Sequence, residues 1–136
     1  MSGSLIHLEI VTPGKIVFSD DVKSFTAPGT VGSFQILPRH AAFISTLKPG
    51  KVKFVTKDNS EKLYSTSGGV VEVHNNKISM LAETIEAREE IDVQRALASK
   101  DKALKMISSE HGTELTKAKD KLLRAENRLR VAGYEE

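Results

Sequence analysis

Apolar and polar residues alternate over much of the first 85 residues, and this period of two is typical of β-strands with one buried face. The alternation is clearest at residues 6–10, 52–54 and 78–80. Turn-forming residues separate such stretches: Pro13-Gly14, Pro28-Gly29, Pro49-Gly50, Asp58-Asn59-Ser60 and Asn75-Asn76. Since the segments between these turns leave no room for crossover helices, the pattern predicts antiparallel strands in a β-sandwich or barrel.

The pattern changes to a helical one after residue 86. Residues 86–136 contain no proline and are rich in alanine, leucine and charged residues, which is a helix-forming composition. Towards the C-terminus, apolar residues recur at three- and four-residue spacing along one helix face: Leu115, Ala118, Leu122, Ala125, Leu129 and Ala132. An earlier and less regular stripe contains Val93, Ala96, Leu97, Leu104 and Ile107. The sequence therefore predicts a two-helix hairpin.

Capping residues suggest where these helices begin and end. Asp92 is suited to the N-cap of the first helix. Gly112 is predicted to end that helix, and Thr113 to cap the next one. The predicted fold class is α+β, with an antiparallel β-sandwich at 1–85 and an antiparallel helical hairpin at 86–136. The alanine-rich stripes bury little apolar area, so the hairpin is expected to be only marginally stable by itself.

Composition excludes several classes of function. The 136 residues include no cysteine, so disulfides, thiolate metal sites and thiol nucleophiles are absent. Net charge is +2 and neither half is strongly basic, which argues against a nucleic-acid partner. No apolar run approaches the ~20 residues of a membrane helix, and the first residues lack a signal-peptide layout. We expect a cytoplasmic protein.

No catalytic or metal-binding group is predicted. The four histidines are His7, His40, His74 and His111, and no two have the spacing of a helical metal site. The Gly29-x-x-Gly32 segment lacks the Lys-Ser/Thr ending of a phosphate loop and precedes a strand rather than a helix. His40, beside Pro38 and Arg39 in a rigid corner, is either a binding residue or bonded within its own turn.

Three arginines fall at the open end of the predicted hairpin. With a turn near His111, antiparallel packing brings Arg95 to the level of Arg124 and Arg128. The last two also share one helix face through their spacing of four. Nearby carboxylates could neutralise them as solvated ion pairs, or a bound polyphosphate could do so. The spacing alone leaves both interpretations open.

Three motifs resemble the epsilon subunits of F-type ATP synthases. Residues 29–50 read GTVGSFQILPRHAAFISTLKPG, which is similar to that family's Gly-x-x-Gly turn followed by Leu/Tyr-Pro-x-His-Ala and Leu-x-Pro-Gly. Residues 67–73, SGGVVEV, resemble its Gly-Gly-x-x-Glu-Val strand. Residues 91–96, IDVQRA, resemble the Ile/Leu-Asp-x-x-Arg-Ala motif of its nucleotide-responsive members. The resemblance covers essentially the whole chain.

The resemblance implies a non-catalytic rotor subunit, peripheral to the cytoplasmic face of a bacterial membrane. In that family the β domain attaches to the gamma subunit and to the c-ring. The gamma-facing corner corresponds to Pro38, Arg39 and His40, and the ring-facing turn to Gly29, Thr30, Val31, Gly32 and Ser33. Several relatives place an acidic residue where this chain has Ser33.

The same resemblance implies regulation by ATP. The folded hairpin of the family binds ATP and leaves the enzyme active, whereas the extended helices reach the alpha/beta catalytic head and block hydrolysis. The corresponding ATP-binding residues are Glu86, Ile91, Asp92, Arg95, Ala96, Arg124 and Arg128. Lys102 stands where some relatives have arginine, and the sequence leaves open whether Mg²⁺ accompanies the nucleotide.

Two other functions remain as alternatives at this point. A generic adaptor, with a β domain and a coiled-coil arm but no nucleotide site, fits the periodicity equally well. A free-standing ATP hydrolase is disfavoured because there is no phosphate loop, metal-ligand set or positioned base.

Overall fold

The computed structural model describes residues 4–134, which form seven strands, a short 3-10 helix and two α-helices. The elements in order are β1 (Ile6–Thr12), β2 (Lys15–Gly29), β3 (Gly32–Ile36), β4 (Phe43–Leu47), β5 (Gly50–Thr56), β6 (Glu61–His74), β7 (Lys77–Ala87), the 3-10 helix (Arg88–Glu90), α1 (Val93–Ser109) and α2 (Gly112–Ala132). The chain divides into two compact units, a β unit that ends at Ala87 and a helical unit that begins at Arg88. The predicted classes of secondary structure are confirmed in both.

The β unit is a sandwich formed by one continuous set of seven paired strands. The strand order is β1-β7-β6-β4-β2-β3, and β5 bridges β2 and β6. The two longest strands, β2 and β6, each pair with several neighbours and so belong to both layers. The alternating residues that the sequence assigns to the core are fully buried: Ile6, Leu8, Ile10, Val52, Phe54, Ile78 and Met80.

One pair of strands contradicts the prediction that every pair is antiparallel. Strands β1 and β7 pair in parallel, with Leu8 opposite Ile78 and Ile10 opposite Met80. The prediction assumed that parallel neighbours need a crossover helix between them. Here β1 and β7 are the first and last strands of the unit, so the five strands between them provide the connection.

The predicted hairpin turn at Asn75-Asn76 is confirmed. Both residues have positive φ angles, 49° and 59°, and the flanking residues His74 and Lys77 are paired. Asparagine tolerates this left-handed conformation better than most residues, and two such residues in succession make the turn that suits the twist of a hairpin.

The helical unit is a hairpin whose seam consists mainly of alanine. Four alanines are buried at matching levels: Ala96 and Ala125 lie equally far from the two-residue link at 110–111, as do Ala103 and Ala118. The small side chains let the two helices approach closely, while Leu129 and Val131 are buried towards the end of α2. No helix within residues 4–134 is long and apolar enough to span a membrane.

Three details of the helix prediction are wrong. Leu104 is 47% exposed, and its neighbour Ala103 occupies the seam, because close packing favours the smaller side chain there. Gly112 begins α2 instead of ending α1, and its φ of 58° turns the chain directly after the short link. The N-cap of α2 is therefore His111 and not Thr113.

Candidate functional site

Asp92 starts α1, as the sequence predicts. Its backbone is extended, with φ −84° and ψ 99°, and its Oδ1 accepts a hydrogen bond of 3.0 Å from the backbone N–H of Arg95. This bond satisfies one of the N–H groups that a helix leaves unpaired at its first turn. One carboxylate oxygen of Asp92, a residue of the predicted ATP-binding motif, therefore caps the helix in the absence of any ligand.

The Arg95 side chain is exposed in the first turn of α1. A cation at this position faces the positive end of the helix dipole, which is unfavourable unless an anion lies nearby. Counted from the link between the helices, Arg95 lies at a height midway between Arg124 and Arg128. It is two residues from the level of each, which is about 3 Å along the helix axis. Arg124 is exposed and Arg128 is half-buried.

The remaining residues of the predicted ATP site divide between the two units. Ile91 and Ala96 are buried in the helical unit, at the start of α1. Neither has a hydrogen-bonding side chain, and the Ala96 methyl group, 0% exposed, offers no surface to a ligand in the folded hairpin. Glu86 is in the β unit, half-buried near the end of β7 and opposite Ser65 of β6.

The Pro38 corner, residues 37–40, is a tight turn closed by a hydrogen bond of 3.1 Å from the His40 N–H to the Leu37 carbonyl. Proline at the second position and the positive φ of Arg39, 70°, are the pattern of a type II turn. That conformation is uncommon for arginine. The Arg39 and His40 side chains are both exposed, which a binding surface requires.

His40 also has the local bond that the sequence analysis left as its second interpretation. Its Nδ1 lies 2.7 Å from the Ala41 carbonyl, and its ring contacts that of Phe43 edge-on at 5.7 Å between centroids. Phe43 in turn contacts Phe34 at 5.0 Å. The exposed imidazole is thus held in one orientation by its neighbours.

The turn at residues 29–33 connects β2 to β3. Gly29 and Gly32 are paired, and Thr30 and Val31 form the two-residue loop between them. A Cβ atom on Gly29 would lie 2.6 Å from the Gly32 carbonyl oxygen, so only glycine fits there. The Val31 side chain is fully exposed at the tip.

Two hydrogen bonds fix this loop to β4. The Thr30 N–H donates to the Thr46 carbonyl at 3.1 Å, and the two threonine hydroxyls lie 2.9 Å apart. Ser33 is exposed at the start of β3.

Two polar arrangements were not predicted from the sequence. The Asp21 Oδ1 lies 3.0 Å from the His7 Nδ1, and the His7 Nε2 lies 3.4 Å from the Ser19 Oγ. This is the contact order of a Ser-His-Asp triad, but the serine contact is long and all three groups are on an open strand surface. Cross-strand pairing explains it: His7 is opposite Asp21 in the β1–β2 register.

The second arrangement surrounds Asn76. Its Oδ1 accepts from the Arg39 N–H, and its Nδ2 donates to the Leu5 carbonyl. The asparagine pair signals a turn in the sequence, but a long-range bond to residue 39 leaves no local sequence signal. Among the described residues, no group of three or more metal-ligating side chains was found.

The sequences of the two units match two successive domains of one protein family. Residues 5–88 match the beta-sandwich domain of the ATP synthase delta/epsilon chain, and residues 89–133 match its long alpha-helix domain. This chain belongs to the ATP synthase delta/epsilon chain family. Membership confirms the predicted resemblance and the prediction of an ATP synthase subunit that is not itself catalytic. It decides against the generic adaptor and the free-standing hydrolase.

A relative with a similar sequence supports this assignment, and a solved structure has the same fold. The chain is 39% identical to the ATP synthase epsilon chain of Nitratidesulfovibrio vulgaris over 129 residues, which covers 94% of this chain and 96% of the relative. Among solved structures, a chain of the Euglena gracilis mitochondrial ATP synthase, titled OSCP/F1/c-ring, matches with a TM-score of 0.87 at 19% identity. That match covers 97% of this chain and 83% of the other.

A second structure has the same fold at lower similarity. A chain of the Tetrahymena thermophila mitochondrial ATP synthase, titled central stalk/cring, gives a TM-score of 0.68 at 18% identity, with 93% of this chain and 95% of that chain covered. At such identities these two matches support the fold alone, which is the two-unit arrangement of a β-sandwich followed by helices.

Proposed function

We propose that this chain is the central-stalk subunit that joins the gamma subunit to the c-ring and regulates ATP hydrolysis through its helical unit. The observation that carries the proposal is its 39% identity to an ATP synthase epsilon chain along nearly the whole length of both chains. The subunit would lie peripherally at the cytoplasmic face of a bacterial membrane, attached through its partners.

The Pro38 corner is the proposed contact with the gamma subunit. The rigid turn presents His40 and Arg39 outward, and the bond from His40 to Ala41 together with the ring contact to Phe43 limits the side-chain freedom that binding would remove. His40→Trp should weaken binding to purified gamma subunit at least tenfold while leaving the β unit folded. Lys15→Trp is the control, because Lys15 is exposed and lies at the opposite end of the β1–β2 pair from the segment that the corner contacts.

The turn at residues 29–33 is the proposed contact with the c-ring. A fully exposed valine at the tip of a loop held by Thr46 is suited to apolar contact with another protein. Val31→Glu should therefore reduce co-purification with the c-ring, because a carboxylate would be buried there without a partner. Unchanged co-purification would remove this turn from the interface. Ile16→Glu, at another exposed apolar position, is the control.

ATP is the proposed ligand of the hairpin. Arg95 lies at the level of Arg124 and Arg128, and a polyphosphate there would offset both the charge repulsion and the dipole penalty at Arg95. A ligand that binds only the folded hairpin stabilises it by about 2.7 kcal/mol at a hundredfold excess over Kd. Such a shift suffices to hold a marginal hairpin closed.

In the open state the two helices would extend towards the alpha/beta catalytic head and block rotation in the direction of hydrolysis. Closing the hairpin on ATP would release that block. The alanine seam supports this proposal, because burying methyl groups contributes far less than burying leucine side chains. Glu86 and the role of Mg²⁺ remain predictions of the sequence.

Calorimetry on the full chain tests the ATP site. Arg95→Ala should lower ATP affinity about tenfold or more, and Arg95→Lys should restore only part of it because lysine lacks the planar guanidinium fork. Arg130→Ala is a matched control, since Arg130 is exposed on another face of α2. Repeating the titration with and without Mg²⁺ tests whether the metal ion binds together with ATP. No binding heat at millimolar ATP would mean that the arginines form a solvated ion-pair surface.

A further inference from the structure

We propose that Asn76 is a positioning residue that sets the orientation of the Pro38 corner, and this inference rests on the proposed contact between that corner and the gamma subunit. Asn76 is 37 residues away from Arg39 along the chain, and no motif links the two. Three hydrogen bonds converge on this one residue.

The first bond holds the corner itself. The backbone N–H of Arg39 donates to the Asn76 Oδ1 at 2.8 Å. Arg39 is the residue of the corner with positive φ, a conformation that a non-glycine residue adopts only when its surroundings favour it. The asparagine side chain accepts a hydrogen bond from the Arg39 N–H, which takes no part in the hydrogen bond that closes the corner.

The other two bonds fix Asn76 to the beginning of the β unit. Its Nδ2 donates to the Leu5 carbonyl at 2.9 Å, and its own carbonyl accepts from the His7 N–H at 3.2 Å. The side-chain amide has only one orientation that satisfies both partners, because Arg39 supplies a donor and Leu5 an acceptor. The corner is therefore connected through Asn76 to β1 and to the β6–β7 turn.

The consequence is that the corner cannot be treated as an isolated loop. His40 follows Arg39 directly, so a rotation at Arg39 would reorient the imidazole that is proposed to bind the gamma subunit. A preformed corner loses less conformational freedom on binding than a mobile one. Asn76 thus contributes to affinity without touching the partner.

Variants at Asn76 can separate its side-chain bonds while leaving the turn intact. Asn76→Gly keeps the positive φ of 59° and removes both side-chain bonds. Asn76→Asp keeps the acceptor for Arg39 and removes the donor to Leu5. Asn75→Gly, with a φ of 49° in the same turn, is the matched control.

Two measurements on the full chain test the proposal: amide hydrogen exchange of Arg39 by NMR, and titration with purified gamma subunit. Asn76→Gly should accelerate exchange at Arg39 by threefold to tenfold and weaken gamma binding by a similar factor. Asn75→Gly should retain the wild-type values of both. Asn76→Asp should give values between those of the wild type and Asn76→Gly, because its second carboxylate oxygen would face the Leu5 carbonyl, which is also an acceptor.

The outcomes separate this inference from the proposed function. Unchanged Arg39 exchange in Asn76→Gly would show that the bond does not hold the corner. Faster exchange with unchanged gamma affinity, while His40→Trp still weakens binding, would overturn the positioning role and leave the interface in place. If His40→Trp also leaves the affinity unchanged, the corner is not the interface and both proposals fail.

Discussion

The Asp92 Oδ1 accepts a hydrogen bond of 3.0 Å from the backbone N–H of Arg95, so two residues of the predicted ATP-binding motif also form the N-cap of α1. The motif therefore has a role in starting the helix that is independent of any ligand. A loss of ATP binding in an Asp92 variant could come from either role, and the two must be separated by the choice of substitution.

Asp92→Asn should keep the cap, because asparagine and aspartate are about equally good at this position. We expect the thermal midpoint of the helical unit to stay close to wild type, whereas ATP affinity falls if the carboxylate charge contributes to binding. Asp92→Ala should lower ATP affinity in the same way and should also reduce helix stability by about 1 kcal/mol, because alanine cannot cap the helix. Circular dichroism at 222 nm and ATP calorimetry measure the two effects. Equal stability of the alanine and wild-type chains would contradict the capping role.

Ala103→Leu should open the hairpin. Ala103 is buried at the same level as Ala118, and a larger side chain would push the two helices apart at a cost of about 1–3 kcal/mol. Ala98→Leu is the matched control, since Ala98 is an exposed alanine of the same helix. Thermal melting followed by helical circular dichroism should show a lower midpoint only for Ala103→Leu. Equal midpoints in the two variants would mean that the alanine seam does not limit helix packing.

Gly133→Ala should weaken the end of α2 for two reasons. Gly133 has a φ of 82°, which costs an alanine about 1–2 kcal/mol, and the added Cβ would lie 2.6 Å from the Arg88 guanidinium. Displacing that cation from the C-terminal end of the helix would remove a favourable dipole interaction of about 0.3–1 kcal/mol.

A double-mutant cycle of Gly133→Ala with Arg88→Ala isolates the second reason, and we expect a coupling of about 0.3–1 kcal/mol in chemical denaturation. Gly14→Ala is the control for the first reason, because Gly14 has a φ of 79° with no atom within 4 Å of the added Cβ. Zero coupling between positions 88 and 133 would show that the guanidinium does not stabilise the helix end.

The β unit should lose stability in acid partly through Asp58. The Thr56 hydroxyl and then the Ser60 N–H, at 3.3 Å, donate to its carboxylate and lower the pKa of Asp58 below its ordinary value of 3.8. A carboxylate with a lowered pKa stabilises the fold above pH 3.8, and the stabilisation disappears as pH falls through the folded-state pKa.

Asp20 adds to the same trend. The Asp21 N–H, at 2.8 Å, and the Lys57 ammonium, at 3.2 Å, lower the pKa of Asp20. Thermal midpoints measured between pH 2 and 6 should fall at the acid end, and the double variant Asp20→Asn/Asp58→Asn should show a smaller fall. A wild-type slope retained in the double variant would assign the acid sensitivity to other carboxylates.

The local sequence pattern was sufficient to predict much of the secondary structure of this protein. The alternation at residues 6–10 and 78–80 identified buried strand faces, and the Asn75-Asn76 turn and the Asp92 N-cap follow from the conformational preferences of those residues. These features depend on neighbours in sequence, so a linear pattern contains the needed information. The residue pattern also predicted the fold class, and the family motifs predicted the family membership that similarity to known proteins confirmed.

Tertiary structure decided the features that depend on residues distant in sequence. Three findings are of this kind: the parallel pairing of β1 with β7, the burial of Ala103 instead of Leu104 between the helices, and the bond from Arg39 to Asn76. Each depends on two segments being close together, which no local pattern predicts. In each case the deciding quantity is a distance or a packing volume between two elements. Such quantities exist only after the elements have docked, which is why spacing could predict that Arg95 lies at the level of Arg124 and Arg128 but could not orient their side chains.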